Sequence, residues 1–174
     1  MKRLIILRGP SGVGKSTVLK KLIPCLGKNV VYIPVAHTTY SLIDEDIEFA
    51  SNRLIDLMHD NADDLTRNFL KANYTVTTDA IFYHKTNNKS RLDRLVRIGY
   101  KNGAKVYVFE LEADLPTLLS RAKKRSRSKD VKTDFQLIKQ KHSKFLKNRY
   151  KYAISISTNN KSVNKIVDEI LTYI

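Results

Sequence analysis

The chain has 174 residues, is 42% hydrophobic and carries a formal net charge of +15 at pH 7. This length suits one domain with one sizeable core, and no apolar run approaches the roughly 18 residues that a membrane helix needs. The apolar residues 4–7 meet Arg8 too soon to form the core of a secretory signal, so we expect a cytoplasmic protein that does not contact a membrane.

Five apolar runs typical of strands alternate with segments long enough for helices. Because strands separated by helices cannot pair as hairpins, this pattern predicts an α/β fold with a mostly parallel sheet and helices on both faces. The predicted strands are residues 4–7, 30–33, 74–78, 106–111 and 153–156. The predicted helices are one after Gly14, one at 42–72 with a break near Asn61, and four at 90–102, 115–124, 135–150 and 163–173.

The residues at the ends of these segments agree with the predicted elements. Asp114 and Ser162 are expected to cap the N-termini of helices, since their side-chain oxygens can accept the free N–H groups there. Gly27, Asn73 and Gly103 stand where a left-handed C-terminal cap is expected. Ligands of such a sheet bind beyond the carboxyl ends of its strands.

The sequence of residues 9–16, GPSGVGKS, fits the phosphate-binding pattern G-x-x-x-x-G-K-[ST] between a strand and a helix. A loop without Cβ atoms at Gly9, Gly12 and Gly14 can turn its amide groups around a phosphate. Lys15 is predicted to reach the β- and γ-phosphates of ATP, and the Ser16 hydroxyl to bind Mg²⁺. The predicted nucleotide-binding residues of this loop are Gly9, Ser11, Gly12, Val13, Gly14, Lys15, Ser16 and Thr17.

Asp79 ends a predicted strand and is a candidate catalytic and metal-binding residue. A carboxylate at this edge of the sheet can order Mg²⁺ through water, or hold a catalytic Arg or Lys in place. The alternative is an aspartate that only ends a strand in a turn.

A basic segment contains Arg121, Arg125 and Arg127. Arg121 and Arg125 share one helical face, whereas Arg127 is expected where the helix gives way to a loop. Guanidinium groups suit the spread negative charge of a phosphoryl group in transfer, so these arginines predict a mobile lid over the phosphates. The alternative is a solvated basic run or a nuclear-localisation signal.

The wider stretch 121–151 holds thirteen Lys and Arg against two acids, a net +11 that leaves +4 for the rest of the chain. This concentration indicates either a surface that meets a polyanion or a solvated lysine-rich face. Arg91, Arg94 and Arg97 form a second basic stripe, which we expect to face solvent, with tracking of an acceptor backbone as the alternative. The single cysteine, Cys25, indicates a reducing compartment and is expected to be buried and inert.

Together with the glycine loop and residues 74–79, two further stretches give the chain a family resemblance: RLDRLVRIGYKNGAKVYVFELEADLPTLLSRAKKRSR and STNNKSVNKIVDEI. The chain resembles the small P-loop kinases, and among them the phage-type polynucleotide 5′-kinase domain, whose relatives include zeta toxins and chloramphenicol phosphotransferase. The resemblance implies a three-layer fold with a five-stranded sheet, formed by one domain over residues 1–174 with a lid at about 121–134. It also places Arg121 and Arg125 over the ATP phosphates, Asp79 near the acceptor, and the segment around Thr158 near the adenine.

The resemblance fails where the family usually carries an acid as general base, just after the second strand. Here that stretch carries His37, which can accept a proton near neutral pH. Asp44 and Asp46 follow, although acids there also suit the first turn of a helix. The base is therefore His37, one of these two acids, or no dedicated residue.

These observations predict a kinase that uses ATP and Mg²⁺ and phosphorylates the 5′-OH of DNA or RNA. A kinase of a small molecule, such as a nucleoside, nucleotide, antibiotic or metabolite, is the first alternative. A nucleotide-gated nucleic-acid-binding switch that hydrolyses ATP without an acceptor is the second.

Overall fold

The structure is a computed structural model and describes residues 1–35, 52–80, 85–86, 89–129 and 135–174. In chain order the strands are β1 (Arg3–Arg8), β2 (Val30–Pro34), β3 (Thr75–Ala80), β4 (Lys85–Thr86), β5 (Lys89–Ser90), β6 (Lys105–Glu112) and β7 (Ile154–Ser157). The helices are α1 (Lys15–Cys25), α2 (Asn52–Lys71), α3 (Arg91–Lys101), α4 (Leu115–Lys129), α5 (Phe135–Lys147) and α6 (Val163–Leu171).

Five of the strands form one parallel sheet in the order β2-β3-β1-β6-β7. The register places Leu7 beside Asp79 of β3 and Arg8 beside Glu110 of β6. β4 and β5 pair with each other as a short antiparallel ladder that the sequence did not predict. The predicted three-layer α/β fold is confirmed.

The central strand β1 is covered on both faces, which explains its unbroken apolar sequence. Leu4 and Ile6 pack with side chains of α2 and α3, whereas Ile5 and Leu7 pack with side chains of α1 and α6. All four side chains are fully buried. The sheet therefore presents the end of β1 at the middle of its carboxyl edge.

The predicted capping residues are confirmed. Asp114 Oδ1 accepts the N–H of Thr117 at 2.8 Å, and the Ser162 side chain accepts the N–H of Lys165 at 3.3 Å. The three predicted C-terminal caps all adopt positive φ angles, namely Gly27, Asn73 and Gly103.

Two predicted helix boundaries are wrong. α2 runs without a break through Asn61, because Met58 and Ala62 continue its buried stripe on either side. α4 continues to Lys129, so Arg127 lies in the helix and not in a loop. Lys and Arg are good helix formers, and no Gly or Pro lies between Lys124 and Lys129 to end the helix earlier.

The prediction of a buried cysteine is also wrong. Cys25 lies in the last turn of α1 and is exposed, with its Sγ donating to the Lys21 carbonyl at 3.4 Å. The apolar stripe of α1 continues from Leu22 to Leu26 instead.

Two arginines of the α3 stripe, Arg91 and Arg94, pair with α2, which corrects the expectation that they face solvent, whereas Arg97 is exposed as expected. Arg91 is only 6% exposed and pairs with Asp56, while Arg94 lies 2.6 Å from Asp60 and 2.5 Å from Asp63. Burial raises the pKa of Asp63 to about 6, and the charge of Arg94 acts in the opposite direction. The charges of Arg91 and Arg94 are thus neutralised within the protein.

Within the described ranges, no helix is long and apolar enough to cross a membrane.

Candidate functional site

The glycine loop, residues 9–16, joins the end of β1 to the start of α1 at the middle of the carboxyl edge. Gly14 is the N-cap of α1 with φ 105°, so no side chain caps the first-turn N–H groups, and an anion is stabilised at such a helix end. A Cβ at Gly9 would lie 2.5 Å from the main-chain oxygen of Leu111, so only glycine fits where the loop passes β6. The loop has the conformation expected of a phosphate cradle.

Lys15 folds back over this loop. Its Nζ donates to the carbonyl of Gly9 at 2.9 Å and to that of Pro10 at 3.2 Å. Burial lowers the pKa of Lys15 to about 8, while the charge of Asp79 acts in the opposite direction. The ammonium group is therefore held by two neutral oxygens that an anionic ligand can replace.

Asp79 lies at the end of β3 and is 8% exposed. Its Oδ2 accepts the Ser16 hydroxyl at 3.1 Å, and its Oδ1 accepts the Tyr32 hydroxyl at 2.6 Å. Burial and the negative charge of Asp79 together raise the pKa of Tyr32 above its usual value. The structure thus joins the two predicted metal-binding residues and adds Tyr32, which sequence reasoning missed.

The donor set at Ser16 and Asp79 fits Mg²⁺. Mg²⁺ prefers oxygen ligands and is usually held by one or two protein side chains together with phosphate oxygens and water. In the described part of the chain, no three His, Cys, Asp or Glu side chains cluster as a protein-only metal cage.

Arg121 connects the loop to the segment after β7. Its Nη1 donates to the Val13 carbonyl at 3.2 Å and to Thr158 Oγ1 at 3.0 Å, and its Nη2 donates to the Thr158 carbonyl at 2.8 Å. Thr158 is fully buried, and its hydroxyl donates to the Glu112 carbonyl at 3.0 Å. The structure therefore brings together three predicted nucleotide-binding residues, and in this arrangement Arg121 contacts protein oxygens.

The structure gives the burial or the place in the fold of the remaining predicted site residues that it describes. Arg125 is exposed one turn beyond Arg121 on α4, and the side chain of Arg127 is outside the described set. Within the loop, Ser11 and Gly12 are half-buried, and Thr17 is exposed in the first turn of α1. The candidate bases His37, Asp44 and Asp46 lie outside the described residues.

A cavity of about 280 Å³ opens beside the loop. Pro10 lines it from the loop, Asp114 and Asn159 from the segments after β6 and β7, and His142 and Phe145 from α5. The Asn159 amide donates to Asp114 Oδ2 at 3.0 Å, which joins the two segments. The volume is close to that of the smaller pockets that hold small molecules.

An ion network under the loop was not predicted. Arg8, the residue before the loop, pairs with Glu110, and both side chains are 1% exposed. Arg8 Nη2 donates to the Asn148 carbonyl at 2.8 Å, Arg149 Nε lies 2.6 Å from Glu110 Oε2, and the Tyr150 N–H donates to Glu110 Oε1 at 2.6 Å. The network ties the chain after α5 to the centre of the sheet.

A signal for this network was present in the sequence. Arg8 directly follows the apolar run of β1, and Glu110 interrupts the apolar sequence of β6, and a charge that is buried in such a position needs a partner. Burial lowers the pKa of Arg8, and the adjacent Glu110 acts in the opposite direction.

The loop, the helix end behind it and the adjacent lysine, serine and aspartate define a P-loop nucleotide-binding protein of the three-layer α/β type. A match to the family described as AAA domain covers residues 4–148. The chain belongs to this family, and its fold is that of the small P-loop kinases. Among curated proteins, no match is found.

Solved structures with the same fold include two from named bacteria. One is the tunicamycin resistance protein of Deinococcus radiodurans, with 17% identity and a TM-score of 0.66 over 99% of this chain and 95% of that chain. Another is a gluconokinase from Sinorhizobium meliloti 1021, with 13% identity and a TM-score of 0.66 over 98% of this chain and 90% of that chain.

A third similar structure is described as the Pnkp1/Rnl/Hen1 RNA repair complex. It is 19% identical with a TM-score of 0.68, and the match covers 87% of this chain and 47% of that chain. This chain therefore spans about half the length of that relative. At these identities the likeness concerns the fold.

Proposed function

We propose that this chain is a cytoplasmic kinase that uses ATP and Mg²⁺ to phosphorylate a hydroxyl group, and that the acceptor is the 5′-OH of DNA or RNA. The observation that carries the proposal is the position of Lys15. Its ammonium group lies on the loop carbonyls of Gly9 and Pro10, next to the hydrogen-bonded pair of Ser16 and Asp79.

When bound, ATP supplies the phosphoryl group and Mg²⁺ neutralises part of its charge. Lys15 and the loop amides would orient the β- and γ-phosphates, and Ser16 and Asp79 would hold the metal. Arg121 would hold the loop next to Thr158 through its hydrogen bonds to Val13 and Thr158. The segment 121–134 would act as the lid, with Arg125 and Arg127 turned toward the phosphates to exclude water.

Proton removal from the acceptor would fall to His37, Asp44 or Asp46, or to no dedicated group. Much of the acceleration would then come from positioning and charge stabilisation.

Two observations support a polynucleotide acceptor. The stretch 121–151 carries a net +11, and one relative in fold is described as part of an RNA repair complex. A small-molecule acceptor is the second candidate. It is favoured by the cavity of about 280 Å³ beside the loop, and by matches that cover 90% or more of the gluconokinase and the tunicamycin resistance protein.

The test is a transfer assay with γ-labelled ATP. The acceptors are a single-stranded oligonucleotide with a 5′-OH, the same oligonucleotide with a 5′-phosphate, and a panel of nucleosides and sugars. We expect label on the 5′-OH oligonucleotide alone, with a KM that rises steeply with salt. Label on a small molecule would support the second candidate, and label only in inorganic phosphate would indicate a nucleotide-gated switch.

Nucleotide binding should take up a proton at alkaline pH. Lys15 has a pKa of about 8 in the free protein, and a triphosphate beside it favours the charged form and raises that pKa. Between about pH 8 and 10 the free protein has mostly neutral Lys15, so binding consumes up to about one proton and weakens as pH rises. Calorimetry in two buffers of different ionisation enthalpy measures this uptake. Equal uptake by wild type and Lys15→Met would contradict the assignment.

Replacing Tyr32 by Phe should raise the Mg²⁺ concentration for half-maximal activity by about tenfold. The Tyr32 hydroxyl holds Asp79 Oδ1 at 2.6 Å, and loss of such an orienting partner commonly weakens metal binding by about that factor or more. The control is Tyr107→Phe, which alters a tyrosine that is 8% exposed on β6. A Mg²⁺ titration in which both variants behave like wild type would show that Tyr32 does not orient Asp79 for metal binding.

A further inference from the structure

The outer side of α5 carries positive charge without acids. The helix has four lysines and no Asp or Glu over Phe135–Lys147. Lys139, Lys144 and Lys147 are exposed, as are Gln140 and Ser143 between them. We call these five residues the α5 lysine face.

Within the part of the chain that the structure describes, no carboxylate neutralises the charges of this face, because no ion pair there joins Lys139, Lys144 or Lys147 to an acid. The contrast is α3, where Arg91 and Arg94 pair with aspartates of α2. The α5 lysine face therefore remains available to an external polyanion.

The same helix borders the phosphate site. His142 and Phe145, on another side of α5, line the cavity beside the glycine loop. An α-helix with its side chains is about 10 Å across, so the α5 lysine face lies about one helix diameter from that cavity. Just after α5, Lys151 Nζ lies 5.4 Å from the centre of the Tyr152 ring, and Tyr152 is 73% exposed.

We propose that the α5 lysine face binds the sugar–phosphate backbone of single-stranded nucleic acid next to the phosphate site. Lysines supply the charge, and the Gln140 amide and Ser143 hydroxyl are suited to bond phosphate oxygens. The exposed ring of Tyr152 offers a stacking platform for a base. Nucleic acid is taken as the ligand on the strength of the proposed function, on which this inference rests.

An anionic membrane is the less suitable partner. A helix that binds a lipid interface also needs an apolar side to insert. In α5 the apolar residues Ile138 and Phe145 are buried within the protein, and the helix lies against α4. The exposed Phe135 and Leu146 lie about three turns apart at the two ends of the helix, so they form no continuous apolar side.

The test compares two triple variants that each remove three exposed positive charges. The first is Lys139→Gln, Lys144→Gln and Lys147→Gln. The matched control is Lys20→Gln, Lys21→Gln and Lys28→Gln, which alters exposed lysines on and after α1. Fluorescence anisotropy measures binding of a labelled single-stranded oligonucleotide with a 5′-phosphate, without ATP, so that no transfer contributes.

For the α5 variant we expect the slope of log affinity against log salt to become shallower by about 2, at roughly 0.7 per lost phosphate contact. Affinity at about 0.1 M salt should fall roughly tenfold or more. The control variant should keep the wild-type slope. Matching circular dichroism and unfolding midpoints will show that both variants are folded.

An equal loss of oligonucleotide affinity in both variants, or no loss in the α5 variant, would show that the α5 lysine face is not the binding surface. So would wild-type binding to phosphatidylserine vesicles without binding to the oligonucleotide. The proposed function fails separately: if label never reaches an oligonucleotide but the α5 variant still loses affinity, the surface stands and the polynucleotide acceptor is wrong. If transfer proceeds with an unchanged KM in the α5 variant, the surface is wrong and the kinase stands.

Discussion

Replacing Lys15 by Met should lower phosphate transfer by about a hundredfold or more, which is the effect of removing one preorganised donor from a site of developing charge. Lys15 is the cation held on the loop carbonyls of Gly9 and Pro10. Met keeps the length of the side chain and removes its charge. The turnover number with saturating γ-labelled ATP measures the loss.

The fold should survive this change. Burial lowers the pKa of Lys15 from 10.5 to about 8, so the folded state disfavours the charged form relative to the unfolded chain. At pH 7 the charge therefore opposes folding, and its removal offsets the loss of the two hydrogen bonds. The unfolding midpoint should stay within a few degrees of wild type. Lys20→Met, on the exposed side of α1, is the control for both turnover and the unfolding midpoint. Near-wild-type turnover by Lys15→Met would show that Lys15 does not take part in phosphate transfer.

Replacing Glu110 by Gln should destabilise the protein by about 3–5 kcal/mol, the usual effect of removing one partner from a buried ion pair. Glu110 is 1% exposed and is contacted by Arg8, Arg149 and the Tyr150 N–H. Its loss of charge leaves the equally buried Arg8 without its anionic partner. Urea unfolding measures the difference in the free energy of unfolding.

Two further variants make this prediction specific. Glu169→Gln breaks the half-exposed pair with Lys161 and should cost no more than about 1 kcal/mol, since exposed pairs contribute little. The double change Arg8→Met with Glu110→Leu removes both buried charges and should recover much of the stability lost by Glu110→Gln. A loss below about 1 kcal/mol in Glu110→Gln would show that the network does not hold the segment after α5.

The five strands of the sheet were predictable because each is a short run rich in apolar or β-branched residues. The central strand β1 is buried on both faces, so its run is apolar throughout residues 4–7. The loop was predictable because Gly9 and Gly14 occupy positions where a side chain is disfavoured. Gly9 passes against the Leu111 carbonyl, and Gly14 has φ 105°. Here the local sequence and the tertiary fold impose the same requirement.

The partners of charged side chains were not predictable from periodicity. The spacing of Arg91 and Arg94 places them on one face of α3 but does not reveal that α2 presents Asp56 and Asp60 to that face. Likewise, Tyr32 reads as an ordinary strand residue, and only the adjacency of β2 and β3 brings its hydroxyl to Asp79. Such contacts depend on strand order, which a single sequence does not specify.

The most direct test of the phosphate site is a crystal structure of the complex with a non-hydrolysable ATP analogue and Mg²⁺. We expect the triphosphate inside the loop of residues 9–16, with Lys15 Nζ transferred from the carbonyls of Gly9 and Pro10 to phosphate oxygens and the metal beside Ser16 and Asp79. A triphosphate bound elsewhere, with Lys15 still on those two carbonyls, would contradict the account.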